Sequence, residues 1–394
     1  MIAKNKTNLF IEANPLLDEN PSGISKLLFS MVDALSSNKE FNKKYTIVLF
    51  VPFNKKHLLN RWRLPAAIKV KSLPLPLRVI NGLNKRHLMF PIDVLLGRGT
   101  YLFPNYRTLP LLMSKSVTYI HDVAYAKHPD TLLDINRVFL EHTIPKSVMS
   151  SDIILTLSEQ SKKELVEIFP TFQDKIEVVP AGVDRALYTT RDGDNRSSRL
   201  LESLGVLDNQ YILFVGNIEP RKNIAYLLDV FVGLVDHGVV TPEVALLLVG
   251  GGGWNNEGLM RRIKTLQKSG YNIVRPSMRI SDEDLPLVYK HSALTTLLSI
   301  HEGFGMTPLE ALASGSRVVV SDIPVLHEVC GESVNYAPLS SKEAAIKVFE
   351  AALTRPLNKR YSEEVLDKYS WGNAAEIFRK KLIATDLNNG KKVL

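Results

Sequence analysis

Two short clusters of charged residues and glycines are the candidates for chemistry. The first contains Arg221 and Lys222, adjacent cations in the segment GNIEPRKN, which starts at Gly216 and follows the apolar run YILFV. Arginine can donate to two phosphate oxygens at once, and lysine supplies a point charge. A helical pattern follows, and a helix N-terminus also attracts anions. The pair therefore indicates a site for a doubly charged phosphate group, with an exposed pair of loop cations as the alternative.

The second cluster is the segment EGFGMTPLE, which follows the apolar run ALTTLLS. Gly303 and Gly305 lack side chains, which lets a ligand touch backbone N–H groups at the start of the next helix. Glu302 lies in this glycine loop, and we expect its carboxylate to face hydroxyl groups. Thr307 is the predicted N-cap of the helix, and Glu310 completes the spacing of a capping box. Glu310 therefore has a structural interpretation as well as a binding one.

Buried strands must position both clusters. Short β-branched or aliphatic runs alternate with helical patterns along the chain, which predicts parallel sheets. These runs start at Thr7, Tyr45, Ser116, Asp152, Tyr211, Val244, Ala293 and Arg317. Ligands of such sheets bind outside the carboxyl ends of the strands. The residues that directly follow each strand are therefore the ones expected to carry function.

The alternation occurs in two series, which predicts an α/β protein with two doubly wound, Rossmann-like domains facing a common cleft. The predicted boundaries are 1–185 for the N-terminal domain, 186–209 for a polar linker and 210–370 for the C-terminal domain. The last segment, 371–394, begins with an amphipathic helix and has no strand after it. We expect this helix to cross back to the N-terminal domain.

Composition excludes several classes of protein. The chain has 394 residues, of which 45% are hydrophobic and 23% charged, values typical of a globular protein with more than one domain. The single cysteine, Cys330, excludes a disulfide framework, and the nine histidines lack metal-binding spacing, so no metal site is predicted. No apolar run reaches the roughly 18 residues of a membrane-spanning helix. The expected location is therefore the cytoplasm.

The net charge of +8 belongs to the N-terminal half of the chain. Eleven cations and no acidic residue lie between Glu40 and Asp93, and apolar residues such as Trp62 stand among them. Such a mixture suits an anionic lipid surface, so we predict peripheral contact of residues 43–86 with the inner face of the cell membrane. An ordinary solvated face is the alternative. Nucleic acid is not a predicted partner, because no aromatic-studded binding signature accompanies the charge.

Two further motifs have simpler explanations than the sites they imitate. The triplet Asp192-Gly193-Asp194 has the form of a D-x-D metal site, but its polar surroundings favour a solvated turn. The glycine run 250–253 follows a predicted strand, as a dinucleotide fingerprint would. Asn255 replaces the third glycine of that fingerprint, and position 270 is not acidic. A dehydrogenase is therefore not predicted.

Together the two clusters resemble a known family. The E-x7-E spacing of Glu302 and Glu310, with the segment GNIEPRKN, is similar to the retaining nucleotide-sugar glycosyltransferases of family GT4, which have the GT-B fold. Further matching segments include IHDVAY, VVPAGVD and SDIPVLHEVCGES. The subset that the chain resembles most contains mannosyl- and rhamnosyltransferases of surface polysaccharide (O-antigen or capsule) biosynthesis.

The resemblance implies a role for each matched residue. Glu310 would bind ribose hydroxyls of the donor, and Glu302 would bind hydroxyls of the transferred sugar. Arg221 and Lys222 would neutralise the departing diphosphate. His121 would line the sugar side of the cleft, with a buried histidine of purely structural role as the alternative. The other implied donor-site residues are Gly23, Gly216, Asn217, Arg279, Ile280, Gly303, Phe304, Gly305, Met306 and Thr307.

The implied reaction moves a hexose or deoxyhexose, with mannose or rhamnose favoured, from a nucleotide-diphosphate sugar to a lipid-linked or oligosaccharide acceptor. The resemblance implies retention of the anomeric configuration and no metal or cofactor, with the acceptor held by the N-terminal domain. Two alternatives remain, a sugar-nucleotide epimerase of the same fold and a non-catalytic partner subunit. The joint presence of Arg221, Lys222, Glu302 and Glu310 argues against the second.

Overall fold

The structure is a computed structural model that describes residues 6–19, 21–86, 88–189, 196–254, 256–355 and 359–389. Within these ranges the chain forms thirteen strands. They are β1 Thr7–Glu12, β2 Tyr45–Pro52, β3 Lys69–Leu73, β4 Thr100–Phe103, β5 Lys115–Tyr119, β6 Ile153–Thr156, β7 Ile176–Val178, β8 Tyr211–Val215, β9 Ala245–Val249, β10 Ile273–Val274, β11 Leu294–Leu297, β12 Val318–Ser321 and β13 Asn335–Ala337.

The same ranges contain seventeen α-helices. They are α1 Gly23–Ser37, α2 Lys39–Lys44, α3 Leu77–Lys85, α4 Ile92–Leu96, α5 Ala124–Lys127, α6 Asp134–Ser150, α7 Glu159–Ile168, α8 Arg185–Tyr188, α9 Arg196–Leu204, α10 Ile224–Asp236, α11 Glu257–Lys268, α12 Leu285–Lys290, α13 Met306–Ala313, α14 Pro324–Cys330, α15 Lys342–Thr354, α16 Lys359–Lys368 and α17 Trp371–Asn389. None of these helices is long and apolar enough to span a bilayer.

The chain divides into two compact units. Unit 1 consists of the described parts of Met1–Val123, Val138–Gly182 and Trp371–Leu394. Its seven strands form a parallel sheet in the order β3-β2-β1-β4-β5-β6-β7. The strand β1 is apolar in consecutive positions because both faces of the sheet are covered, and Phe10 stacks on Tyr101 of β4 with ring centroids 4.6 Å apart.

The last helix, α17, belongs to unit 1, as the sequence predicts. It packs against α1 through buried side chains that include Ala375 and Phe378. Lys381 of α17 forms an ion pair of 2.5 Å with Glu177 of β7. A helix that follows the second sheet in sequence therefore completes the first unit.

Unit 2 consists of Ala124–Arg137 and the described parts of Val183–Ser370. Its six strands form a parallel sheet in the order β10-β9-β8-β11-β12-β13. The central strands β8 and β11 are almost entirely buried, and α10 buries seven of its thirteen residues. The two predicted doubly wound α/β domains are thus confirmed, and all eight predicted strands are present.

The predicted linker differs from the structure. The longer segment of unit 2 begins at Val183, and the described part of 186–209 contributes α9, whose Leu201 and Leu204 are buried three positions apart on one helix face. Residues 190–195, which carry much of the polar composition that suggested a linker, lie outside the described residues. The triplet Asp192-Gly193-Asp194 lies outside the described residues.

Candidate functional site

The cation pair lies directly after the central strand of unit 2. Strand β8 ends at Val215, and Arg221 and Lys222 close a short 3-10 helix, Pro220–Lys222, ahead of α10. Asn223 makes the turn into α10 with a positive φ of 53°. The sequence prediction that these cations stand at a strand-to-helix turn is confirmed.

The glycine run after β9 has a structural role in holding this turn. The N–H of Gly216 donates to the carbonyl oxygen of Val249 at 2.9 Å, and that of Ile218 donates to Gly251 at 3.0 Å. A Cβ atom on Gly250 would lie 1.9 Å from the carbonyl oxygen of Gly216. The two loops therefore touch backbone to backbone, which only glycine permits at this point.

Glu302 lies in the loop that follows the neighbouring strand β11 and contacts both cations. Its Oε2 lies 2.9 Å from Nη1 of Arg221, and its Oε1 lies 2.6 Å from Nζ of Lys222. Ser299 adds a hydrogen bond of 2.7 Å to Oε1. The two charged clusters that are 80 residues apart in sequence thus form one network.

The electrostatics of Glu302 favour its charged form. The side chain is 7% exposed, and burial alone would raise its pKa. The charges of Lys222 and Arg221, together with the hydrogen bonds from Lys222 and Ser299, outweigh burial and lower the pKa of Glu302 to about 2. Glu302 is therefore an ionised acceptor at neutral pH and has no proton to give as a general acid.

A second carboxylate also holds Arg221. Glu219 Oε1 lies 2.9 Å from Nη2 of Arg221, and the carbonyl oxygen of His301 accepts from Nη1 at 2.9 Å. The N–H of Ile300 donates to the carbonyl oxygen of Arg221 at 2.9 Å, which ties the two loops together. Two cations thus face two carboxylates, so their formal charges balance. Sequence reasoning did not single out Glu219, although it lies within GNIEPRKN.

The start of α13 differs from the prediction. Gly305, with a φ of 100°, is the N-cap, and Thr307 is the second helical residue. Its hydroxyl donates to the carbonyl oxygen of Val215 at 3.4 Å and does not cap the helix. The capping box with Glu310 is therefore not formed, because the left-handed glycine already turns the chain into the helix.

Glu310 is bound by buried tyrosines instead. The hydroxyl of Tyr289 donates to its Oε2 at 2.9 Å, and Tyr188 forms a further hydrogen bond with it. Burial, followed by the charge of Glu310, raises the pKa of both tyrosines. These hydroxyls are therefore fixed donors to a carboxylate that is itself 8% exposed. Neither tyrosine carries a sequence motif that would have identified it.

The remaining predicted residues of unit 2 occupy three places. Gly303, Phe304 and Gly305 are buried in the loop after β11, and Met306 begins α13. The Phe304 ring meets Tyr369 edge-on, with ring centroids 5.2 Å apart. Asn217 is an exposed loop residue after β8. The other predicted positions, Arg279 and Ile280, lie in the loop between β10 and α12.

Two predicted residues belong to unit 1. The Nε2 of His121 donates to the carbonyl oxygen of Pro104 at 2.7 Å, and its ring stacks on Tyr119 at 5.4 Å. Burial lowers the pKa of His121, against the opposing effect of that hydrogen bond. Gly23 is the first residue of α1, where a Cβ atom would meet nothing within 4 Å among the described residues. The role of both in a donor site stays a prediction.

No group of three or more His, Cys, Asp or Glu side chains that could hold a metal ion occurs in the described part of the chain.

A family comparison assigns the part of the chain that carries this network. Residues 200–369 match the family of glycosyl transferases group 1. These residues form a group 1 glycosyltransferase domain. The predicted family is thereby confirmed for this segment, and all four charged residues of the network lie inside the group 1 domain.

Two curated relatives match a longer part of the chain. The O-antigen chain mannosyltransferase B of Escherichia coli is 30% identical over 239 residues, which cover 59% of this chain and 59% of that protein. The O-antigen chain mannosyltransferase RfbU of Salmonella typhimurium is 26% identical over 269 residues, which cover 64% of this chain and 66% of that protein. The chain thus spans less than two thirds of the length of these relatives.

The fold extends beyond the group 1 domain. HepE of Anabaena, solved in complex with UDP and glucose, matches with a TM-score of 0.68 at 14% identity, covering 96% of this chain and all of that one. The shared fold confirms the predicted class of two Rossmann-like α/β domains, known as GT-B.

Proposed function

We propose that the protein is a retaining glycosyltransferase that moves a hexose or deoxyhexose, with mannose favoured, from a nucleotide-diphosphate sugar to an acceptor. The carrying observation is the cluster of Arg221, Lys222 and Glu302 at the carboxyl ends of two adjacent strands in a group 1 domain. The two relatives named as mannosyltransferases support the choice of sugar, and HepE with UDP and glucose supports the class of donor.

In the proposed reaction the two cations stabilise the leaving group. The diphosphate gains negative charge as the glycosidic bond breaks, so cations fixed beside it bind the transition state more tightly than the ground state. Arg221 and Lys222 are already held in place by hydrogen bonds to carboxylates and backbone. They supply the neutralisation that a metal ion would otherwise provide, and we therefore propose a reaction without metal or cofactor.

Glu302 changes partners in this proposal. In the structure its carboxylate is bound to the same two cations that the diphosphate needs. A bound donor would bring phosphate oxygens to the cations and sugar hydroxyls to the carboxylate. Ser299 donates to Oε1 from a fully buried position and would keep Glu302 oriented during this exchange. With its low pKa, Glu302 accepts from hydroxyls and does not protonate the leaving group.

The proposed acceptor is a lipid-linked or oligosaccharide molecule, held by unit 1. We place the enzyme at the inner face of the cell membrane as a peripheral protein, with the basic segment 43–86 in contact with anionic lipid. The names of the two O-antigen relatives support an acceptor of this kind.

A thermal-stability screen with GDP-mannose, UDP-glucose, dTDP-rhamnose and ADP-glucose tests the donor class. A ligand that binds only the native state at about 100 times its Kd stabilises that state by about 2.7 kcal/mol, so one of these compounds should raise the Tm of the wild type. Lys222→Ala should lose this shift and lower turnover at least about tenfold, or roughly 1.4 kcal/mol of transition-state stabilisation.

Arg262→Ala is the matched control for that variant. Arg262 is also a cation of unit 2 paired with a carboxylate, Asp229, and this pair links helix α11 to helix α10. Its removal should leave the donor-induced shift unchanged. Failure of every sugar nucleotide to stabilise the wild type, or an equal shift in Lys222→Ala, would contradict the proposal. Conversion of the donor to an epimer without any acceptor would instead support the epimerase alternative.

A further inference from the structure

Unit 1 carries an exposed apolar surface that lies next in sequence to the basic segment. We call it the 88–113 patch. Its members are Leu88 (67% exposed), Phe90 (57%), Val94 (47%), Leu95 (50%), Leu112 (67%) and Met113 (52%). Isolated exposed apolar side chains are ordinary in globular proteins. Six of them within 26 residues of sequence are unusual, and they lie on two segments that the fold brings together.

A buried carboxylate joins the two segments. Asp93 of α4 is 1% exposed, and its two oxygens accept the backbone N–H groups of Leu112 at 2.9 Å and Met113 at 2.7 Å. The N–H of Ile92 donates to the carbonyl oxygen of Pro110 at 3.0 Å. Burial alone would raise the pKa of Asp93, but these backbone hydrogen bonds and one from Ser114 lower it. The clamp is therefore ionised, and it fixes the neighbouring apolar side chains in place.

The opposite side of both segments is firmly packed. Met89, Ile92, Leu96 and Leu109 are buried in one core cluster with Phe10 and Tyr101. The six exposed side chains thus stand on a rigid base, and burying them inside unit 1 would require this core to open. Something outside the unit must cover them if they are to leave water.

The sequence that flanks the patch carries charge of almost one sign. The sequence from 41 to 121 contains fourteen lysines and arginines, eleven of them in 43–86, and a single acidic residue, Asp93. Asp93 is buried and accepts hydrogen bonds from the backbone of Leu112 and Met113. The described part of this stretch therefore has no exposed carboxylate. Arg98 stands exposed directly after α4, and Lys71 of β3 donates to the carbonyl oxygen of Leu96 at 2.5 Å. The patch is therefore apolar, and the residues that flank it in sequence are cationic.

We propose that the 88–113 patch inserts into the surface of an anionic lipid bilayer while the basic segment contacts the headgroups. Apolar side chains bordered by cations match the layering of such a surface, where hydrocarbon lies beneath a sheet of negative charge. A second copy of the chain fits less well, because a symmetric contact would bring two cationic borders together. The inference rests on the proposed function in one respect: a lipid-linked acceptor gives the contact its purpose.

Sedimentation with vesicles tests the inference. The wild type should bind phosphatidylcholine vesicles that contain about 30% phosphatidylglycerol, and bind pure phosphatidylcholine much less. The triple variant Phe90→Ser, Leu95→Ser, Leu112→Ser should bind the anionic vesicles about tenfold more weakly. High salt should weaken the vesicle binding of the wild type by screening the charges, but the part of the binding that the apolar side chains supply should remain. The triple variant should lose this salt-resistant binding.

Leu207→Ser, Met278→Ser is the matched control, because these apolar side chains are 64% and 50% exposed in unit 2. Its vesicle binding should equal that of the wild type. An unchanged Tm and an unchanged donor-induced shift in the triple variant would show that fold and donor site are intact, which separates this test from that of the transferase proposal. Wild-type vesicle binding by the triple variant would overturn the inference. The inference would also be overturned if the wild type did not bind vesicles and light scattering showed that it forms a dimer, while the triple variant stayed a monomer.

Discussion

The two parallel sheets place opposite charges at corresponding points but in reverse chain order. In each sheet the first strand lies between the second and the fourth along the chain, so the strand order changes direction beside it. Unit 1 has the carboxylate of Glu12 at the end of its first strand and Arg107 after the fourth, 2.9 Å apart. Unit 2 has Arg221 after its first strand and Glu302 after the fourth, also 2.9 Å apart.

The difference lies in what completes each pair. In unit 1, Glu12 also accepts from the amide of Asn14 at 2.5 Å, and Arg107 also donates to the amide oxygen of Asn81. In unit 2, a second cation and a second carboxylate, Lys222 and Glu219, take those places. Neutral amides complete the hydrogen bonding of the first pair. The second network contains two cations, to which we propose that a dianion binds. Under the proposed function, the same topological point serves stability in one unit and anion binding in the other.

Arg107→Ala gives the largest effect expected from this comparison. It would leave the carboxylate of Glu12, whose side chain is 5% exposed, without its cation. Breaking a buried ion pair in this way costs about 3 kcal/mol of the free energy of unfolding. Denaturant unfolding, followed by a probe in unit 1, would measure the loss. The Tm shift induced by a sugar nucleotide should persist in this variant, because the donor residues of unit 2 are untouched.

The double variant Arg107→Ala, Glu12→Gln is the control for that prediction. It removes the stranded charge and should recover part of the lost stability, since an uncharged amide is cheaper to bury than a carboxylate. A loss below about 1 kcal/mol in Arg107→Ala would place this pair among weak surface ion pairs and remove the stabilising side of the comparison.

Glu302→Gln tests the anion-binding side. Removing the carboxylate frees Arg221 and Lys222 from a competing anion, so the affinity for a nucleoside diphosphate without sugar should rise by about threefold, or roughly 0.6 kcal/mol. Turnover should fall, because the acceptor of sugar hydroxyls is weakened. Calorimetry with GDP and UDP, compared with the kinetics of the same variant, separates the two effects. Weaker binding of the diphosphate in this variant would refute the exchange of partners.

The pH dependence of stability adds a second readout for the same variant. The folded-state pKa of Glu302, about 2, lies below its ordinary value of 4.5. This group therefore stabilises the fold above that ordinary value, and its contribution is lost as the pH falls toward 2. The wild type should lose stability across this window more steeply than Glu302→Gln does. Parallel losses in the two proteins would show that the carboxylate is not held as the network implies.

The charged core of the site was predictable because it depends on two long-range regularities. Apolar runs such as YILFV and ALTTLLS identify central strands, and the carboxyl ends of parallel strands meet at one edge of the sheet. Arg221 and Glu302 could therefore be brought together from sequence, 81 residues apart. The two doubly wound units and the return of α17 follow from the same alternation of strands and helices.

The rest depended on tertiary contacts that no local pattern carries. Strand β4 has four buried residues and lies next to β1, yet a run of four is too short to show a period. Ser299 and Tyr289 act through single hydrogen bonds to carboxylates that only the fold brings close. The spacing of Thr307 and Glu310 predicts a capping box, but Gly305 is the N-cap of the helix. The sequence does not reveal the positive φ of Gly305.

Glu310→Gln decides between two interpretations of one residue. The Glu310 carboxylate does not cap the helix, because the capping box is not formed. It accepts hydrogen bonds from the hydroxyls of Tyr289 and Tyr188 instead. If Glu310 binds ribose hydroxyls, the glutamine variant should bind the nucleotide about threefold more weakly, or roughly 0.6 kcal/mol, with little change in Tm. Tyr289→Phe removes one of the fixed donors and should weaken nucleotide binding in the same direction. A lower Tm with unchanged nucleotide affinity in both variants would mean that this buried carboxylate serves packing in unit 2 alone, as the Glu12 pair does in unit 1.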